Sequence, residues 1–436
     1  MFREYIIEQK VYKHRRHRRH YHPPVRYSSL NNGTVLRQVK GQFIEEFEKR
    51  GFLSKYESSH EIKVPQRFTF KGGYDESLCF IRKLISSYVF LKEGHIKIDF
   101  SDCEEMSIAC FTMFHVVNDE LKSLRERYNQ RLGRYRNTSR EVRISHPSKK
   151  DDKTNKFLIA NDYIDLKDTA NVNGEEMFLP LPIIRGKHRA YYENMKSKAA
   201  RTIVRFLNTA LERANNEMGD DGKALETFTT EILTNAEEHS LFKSEWFVSG
   251  ISFAEEQHNK DIVEVNLSII NIGQTMFEGF EETKELNKDN YNKVDAMYRV
   301  VHKKMTSSHN YSREALFMLY MLNPKVSRLR YEDTARGNGT MTFIEKFLLL
   351  GRYGEKDLAF NPQMNIISGK SILTCDGIMK PYISPYTGLK VMSLNRCQSP
   401  AELPDPGYVD SYSEFFPGTI LECKIYLSKE NVEASN

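Results

Sequence analysis

The segment Leu225–Ser240, LETFTTEILTNAEEHS, constrains this chain more than any other. Leu225, Phe228, Ile232 and Leu233 fall at helical spacing, so the segment predicts an amphipathic helix that must bury one face. Glu231 and Asn235 stand four apart and project from one face of that helix, a turn apart. A carboxamide oxygen suits a hard ion such as Mg2+, and a carboxylate can accept a proton from a hydroxyl or water that attacks a phosphate. Taken alone, an E-x-x-x-N pair is as readily an exposed Glu beside an Asn with no shared task.

Three later segments give that pair its company. Ile262–Ile272, IVEVNLSIINI, is strongly β-branched and predicts a strand ending at Asn271, Gly273 and Thr275. ARGNGTM, residues 335–341, precedes an apolar helix over Thr342–Leu350. Gly337 and Gly339 allow a ligand close to the backbone, and Thr340 is expected to cap a helix whose free N–H groups point at an anion. A strand at NIIS before Gly369 and a last strand, FFPGTILECKIYL, follow.

This order of elements resembles the GHKL family of ATP-binding proteins: gyrases, heat-shock chaperones, histidine kinases and mismatch-repair ATPases. The wording TEILTNAEEHS is most similar to the anti-sigma-factor kinase branch. The resemblance implies an ATP site in which Asn235 holds Mg2+ and Glu231 is the general base. Gly337, Asn338, Gly339 and Thr340 would wrap the phosphates, Gly273 would admit the adenine, and Thr419 would support it. Two positions depart from the family. Asn271 stands where an Asp reads the adenine amino group, and Thr275 stands where a second Gly is expected. Residues 274–335 would form the lid over the nucleotide, with helices near Tyr298–Lys304 and Arg313–Leu322. Lys303, Lys304, Arg313, Lys325, Arg328 and Arg330 are its candidates to reach a γ-phosphate or a partner. Residues 376–416, rich in Pro, Tyr and Asp, read as an insertion, and His239 as a packed or capping histidine.

Ahead of this part, strand and helix signals alternate over roughly 60–170: IKVP, RFTF, a helix from Ser77 to Phe90, HIKIDFS, a helix over Ile108–Arg127, and REVRISHP. Lys149–Lys156 reads as a charged loop and Lys156–Leu166 as a short helix. The IDFS strand leading into a helix resembles the STAS domain of anti-sigma-factor antagonists. In that family an Asp-Ser pair opens the helix and the Ser is phosphorylated. Here Ser107 and Ile108 take those places, which argues against a phosphoserine at that position. The expected division is a basic arm at 1–27, a STAS-like α/β domain at 28–175, and a GHKL domain at 176–430. LPLP at 179–182 is expected to break regular structure near the boundary. The fold class expected is therefore an α+β two-layer sandwich of GHKL type preceded by a smaller α/β domain.

Composition then excludes several classes. The apolar content is 39% and the charged content 28%, with 26 Phe and 23 Tyr to furnish a core, so a largely disordered chain is not expected. The longest apolar runs fall far short of the roughly 18 residues of a membrane helix, and the N-terminus has no apolar stretch of the secretory kind. Six scattered cysteines with no C-x-x-C pair predict reduced, mostly buried thiols in a cytoplasmic protein. Residues 1–27 hold eight Lys or Arg against two Glu, a local +6 in a chain of net +5, so the remainder carries −1. KHRRHRRHYHPP, residues 13–24, is a phosphate-seeking arm or a solvated tail, and His14, His17, His20 and His22 are a weaker metal-binding alternative.

The function expected is a Mg2+-dependent ATP-binding and ATP-hydrolysing switch that regulates a protein partner. A protein Ser/Thr kinase of the anti-sigma kind is a second expectation, because only the hydroxyl that Glu231 deprotonates differs. A nucleotide-gated nucleic-acid-binding protein of a stress or defence pathway, acting through residues 13–22, is a third. A homodimer is an expectation from the family only, since no coiled-coil heptads are evident.

Overall fold

Among the described residues the two halves of the sequence build two main sheets of opposite kind, beside two short two-stranded pairs. The computed structural model describes residues 42–50, 58–90, 95–131, 142–164, 178–187, 194–213, 221–238, 245–255, 262–307, 310–323, 339–350, 361–385 and 388–427. The basic arm, His239, Lys325, Arg328, Arg330, Gly337 and Asn338 lie outside them, as does the 175/176 division. Among the described residues no helix is long and apolar enough to cross a membrane.

The first half begins with helix α1 (Gln42–Lys49), then β1 (Glu61–Lys63), β2 (Arg67–Phe68), α2 (Tyr74–Phe90), β3 (Ile96–Asp99), β4 (Glu105–Met106), α3 (Ile108–Arg131), β5 (Val142–His146) and α4 (Asp152–Ala160). Strands β1, β3 and β5 pair in that order and all parallel. Parallel neighbours need long crossovers, and α2 and α3 supply them. Ile62, Ile96 and Ile98 bury themselves with Leu78, Ile81 and Leu84 of α2 and Phe111 and Phe114 of α3. The helix expected from Lys156 begins four residues earlier, inside the charged run. Asp151 accepts N–H bonds from Lys153 and Thr154 at 3.0 Å each, and this cap starts α4 there.

The second half runs β6 (Phe178–Lys187), α5 (Asn194–Arg213), α6 (Asp221–Glu238), β7 (Glu245–Glu255), β8 (Ile262–Ile272), α7 (Met276–Glu282), α8 (Lys288–His302), α9 (Arg313–Met321), α10 (Gly339–Leu350), β9 (Gln363–Asp376), the short pair β10 (Tyr382–Ile383) and β11 (Lys390–Val391), and β12 (Val409–Leu427). Five strands form one antiparallel sheet in the order β6-β7-β8-β12-β9. LPLP does not break structure as expected: it lies within β6. That strand is an edge, where a proline costs no ladder bond, and its pairing with β7 is irregular between Leu181 and Ile184. The insertion expected at 376–416 is shorter, because β9 reaches Asp376 and β12 already begins at Val409.

Side-chain alternation gives the antiparallel sheet two different faces. On one, Val263, Val265, Leu267 and Ile269 of β8 and Leu421, Cys423 and Ile425 of β12 join the apolar residues of α5, α6 and α10 in a single core. On the other, polar residues of the strands meet α3 and α4. Thr112 of α3 shares hydrogen bonds with Ser249 and Ser268. The N–H of Ala109 donates to Glu422 Oε1 at 3.0 Å, and Lys153 Nζ donates to Glu264 Oε2 at 2.8 Å. Phe157 packs edge-on against Phe253. Residues 41–436 accordingly form one compact unit of mixed α and β structure. Cys103, Cys110, Cys375 and Cys423 are buried free thiols, and burial pushes Cys103 up to about 11 and Cys375 up to about 12.

Candidate functional site

Glu231 and Asn235 are carried by α6, whose Ile232 and Leu233 bury themselves in the core and fix the rotation of the helix. Glu231 is half-buried. Thr230 and Thr234 bond back to the carbonyls of Glu226 and Thr230, so these hydroxyls are satisfied within the helix. Helix α10, which starts at Gly339, packs along α6. Thr340 falls inside the first turn of α10, whose described residues begin at Gly339.

Beside α6 lies a row of residues that the strand register sets side by side: Trp246 on β7, Asn271 on β8, Thr419 on β12 and Ser368 on β9. Asn271 is 2% exposed. Its Nδ2 donates to the Ala236 carbonyl of α6 at 3.1 Å, and its Oδ1 accepts the Thr419 N–H at 2.9 Å. Those backbone partners leave only one orientation for the amide, because a donor cannot face an N–H nor an acceptor a carbonyl. A carboxamide offers two hydrogens and two lone pairs, so one of each is left for a ligand.

The strand ends around Asn271 are shaped by two glycines. Gly273, at φ 139°, donates its N–H to Pro417 O at 3.0 Å, and Gly418 is at φ 149°. A Cβ on Gly418 would drive into the Asn271 carbonyl oxygen, far inside van der Waals contact, so only glycine lets β12 approach β8 here. Thr419 sits in the interior of β12, between β8 and β9. Ser368 Oγ donates to Gly418 O at 2.9 Å, accepts the Met276 N–H at 3.0 Å and lies 3.1 Å from Thr419 Oγ1.

Thr275 has a local task. It is the N-cap of α7 in a reciprocal capping box: Glu278 N–H donates to its Oγ1 at 3.1 Å, and its own N–H donates to Glu278 Oε2 at 3.0 Å. Arg50, at the end of α1, grips the same carboxylate with two nitrogens at 2.8 and 3.0 Å and lies over the Phe415 ring at 4.3 Å. Burial alone would raise the Glu278 carboxyl, but Arg50 and the Thr275 N–H outweigh it and hold the group below the ordinary carboxylate range.

The described part of segment 274–335 is a packed helical layer. Val294 and Val301 of α8 and Ala315–Tyr320 of α9 are buried in the main core. Arg313 is engaged inside this layer, donating to Tyr291 Oη at 2.6 Å beside Asp295 and stacking over Phe317. Lys304 pairs with Glu402. Ser368, Arg50 and the Ala236 carbonyl were not singled out by the sequence. Nothing in SGK or EKR marks the first two, and a carbonyl belongs to every residue.

Three segments that lie far apart in the chain therefore meet in space: the C-terminal half of α6, the end of β8 and the Gly418–Thr419 stretch, while α10 packs along α6. The junction offers one carboxamide, Asn271, with a donor and an acceptor to spare. No family model, curated protein or solved structure matches the chain.

Proposed function

We propose that this chain binds ATP with Mg2+ at the junction of α6, β8, β12 and α10, and hydrolyses it to switch conformation and regulate a protein partner. The observation that carries the reading is the Asn271 carboxamide, which links the E-x-x-x-N helix, at the Ala236 carbonyl, to Thr419 in β12. The residue types suit such a ligand: on this reading Asn235 would supply an oxygen for Mg2+ and Glu231 a carboxylate to take a proton from attacking water. The N-terminal turn of α10 supplies free N–H groups for phosphate oxygens. Asn271 retains one acceptor and one donor for a base, and Thr419 lies next to it. Bound Mg2+ supplies charge neutralisation of the phosphates.

The test is a thermal-shift series with ATP, ADP and GTP, each with and without Mg2+. Wild type is compared with Glu231→Ala and Asn235→Ala, and phosphate release is measured in parallel. ATP is expected to stabilise the wild type only with Mg2+. Glu231→Ala keeps the stabilisation and loses hydrolysis, whereas Asn235→Ala loses the Mg2+ dependence. Absence of any shift in wild type at millimolar nucleotide refutes the reading.

A further inference from the structure

The parallel sheet carries a second chemical cluster, remote in sequence from the nucleotide reading and independent of it. Asp99 ends the central strand β3, Glu61 opens the flanking strand β1, and His146 ends the other flank, β5. One ligand atom from each lies within 4.8 Å of the other two. His146 Nδ1 and Asp99 Oδ1 are 3.7 Å apart, too far for a hydrogen bond. Among the described residues neither the Glu61 carboxylate nor the His146 ring makes a hydrogen bond, although both converge on the same point.

Asp99 differs from its two neighbours. It is 8% exposed, and its Oδ1 is fixed by the Ser101 N–H at 2.9 Å. A buried carboxylate with a defined orientation is what an oriented metal ligand requires. Lys63, opposite Asp99 in the strand register, would be its natural counter-ion. Its Nζ instead reaches Asp102 at 3.1 Å. Asp99 and His146 lie at the carboxyl ends of their parallel strands, where ligands gather in open sheets, and Glu61 reaches them from the opening of β1.

We propose that Glu61, Asp99 and His146 form a three-ligand site for a divalent transition ion of the zinc class. Two carboxylates and one imidazole are the mixed oxygen and nitrogen set such ions accept. Donors at about 2.1 Å from zinc stand about 3.4 Å from one another, so the three must close by ~1 Å. The exposed side chains of Glu61 and His146 can do this by rotation while Asp99 stays in place. Three protein ligands leave the ion an open position for water or for a group from a partner.

The histidine-rich arm would also bind such ions, so the test uses the full chain with His14, His17, His20 and His22 changed to Asn. Co2+ is titrated as a visible probe, and Zn2+ is then added as competitor. One equivalent of Co2+ is expected to give visible absorption bands that Zn2+ abolishes. His146→Ala and Glu61→Gln are each expected to weaken binding by about tenfold or more. Both residues are exposed, so the variants should unfold at the parental temperature in chelator, which separates loss of a ligand from loss of the fold. Binding that is equally strong in both variants would mean an adventitious ion only and would overturn the assignment. So would absence of any saturable cobalt spectrum in the parent.

Discussion

Asn271→Asp is the sharpest probe of how the candidate site is held together. An aspartate here would replace the Nδ2 donor with an oxygen facing the Ala236 carbonyl at 3.1 Å. The wild-type bond contributes about 1 kcal/mol, and leaving a buried acceptor unpaired costs a further ~1–3 kcal/mol, so a loss of about 2–4 kcal/mol is expected near pH 7.5. The loss has a pH signature. A buried carboxyl against a carbonyl has its folded-state pKa raised above the unfolded value, because only the protonated form can donate to Ala236. The penalty is therefore smallest below the ordinary carboxylate range and grows as pH rises through the raised pKa. Trp246, the single tryptophan, is 1% exposed and opposite Asn271 in the register, so its emission should report unfolding in urea. Urea curves for wild type and variant at several pH values between 5 and 8 give the difference directly. A variant as stable as wild type at pH 7.5, with no pH trend, would refute the view that Asn271 is a pin between α6 and β12.

Other substitutions test the surrounding framework. Gly418→Ala should cost about 2–4 kcal/mol in urea unfolding, from overpacking and from a backbone angle that suits glycine. Glu278→Ala removes the capping box of α7 and should cost about 1 kcal/mol. Since the Glu278 carboxyl is held below the ordinary range, its contribution is present above that range and lost as pH falls. The Tm difference from wild type should then shrink on acidification. Glu422 behaves oppositely: burial first, opposed by the Ser107, Ala109 and Asn365 bonds, leaves its carboxyl raised, so its contribution fades as pH rises. Glu422→Gln should flatten the pH dependence of Tm above the ordinary carboxylate range.

How far the sequence could be read depended on whether a signal was local. The apolar spacing of Ile232 and Leu233 and the β-branched run of β8 announce α6 and a strand without any tertiary information. β6 was hidden because Pro180 and Pro182 read as breakers, and only its place at a sheet edge makes them tolerable. The start of α4 was hidden in a charge run, although Asp151 was a legible cap. Within the site, Asn271 and Thr419 could each be named, but their pairing is a property of strand register. Glu264 and Glu422 look like solvent-facing positions of alternating strands. They are buried because α3 and α4 cover that face, which no local pattern announces.

The two halves of the molecule share β12, and this limits how a switch in it can work. Thr419 faces the α6 side and bonds Asn271, while Glu422, three residues on, faces the other side and takes the Ala109 N–H at the start of α3. A slip of one residue in this strand would exchange its faces, moving Glu422 into the apolar core and Leu421 against α3. A buried, unpaired carboxylate makes that motion prohibitively costly. The sheet and the N-terminal layer therefore act as a fixed frame. Any conformational response to a ligand beside Asn271 must pass through elements hung from the strand ends. Of the described ones, α7 is best placed: its cap comes two residues after Gly273, its first N–H rests on Ser368, and its Glu278 is held from outside by Arg50. Releasing Arg50 breaks a part-buried ion pair and leaves the core intact, so under the proposed function a signal would run from the end of β8 through α7 to α1.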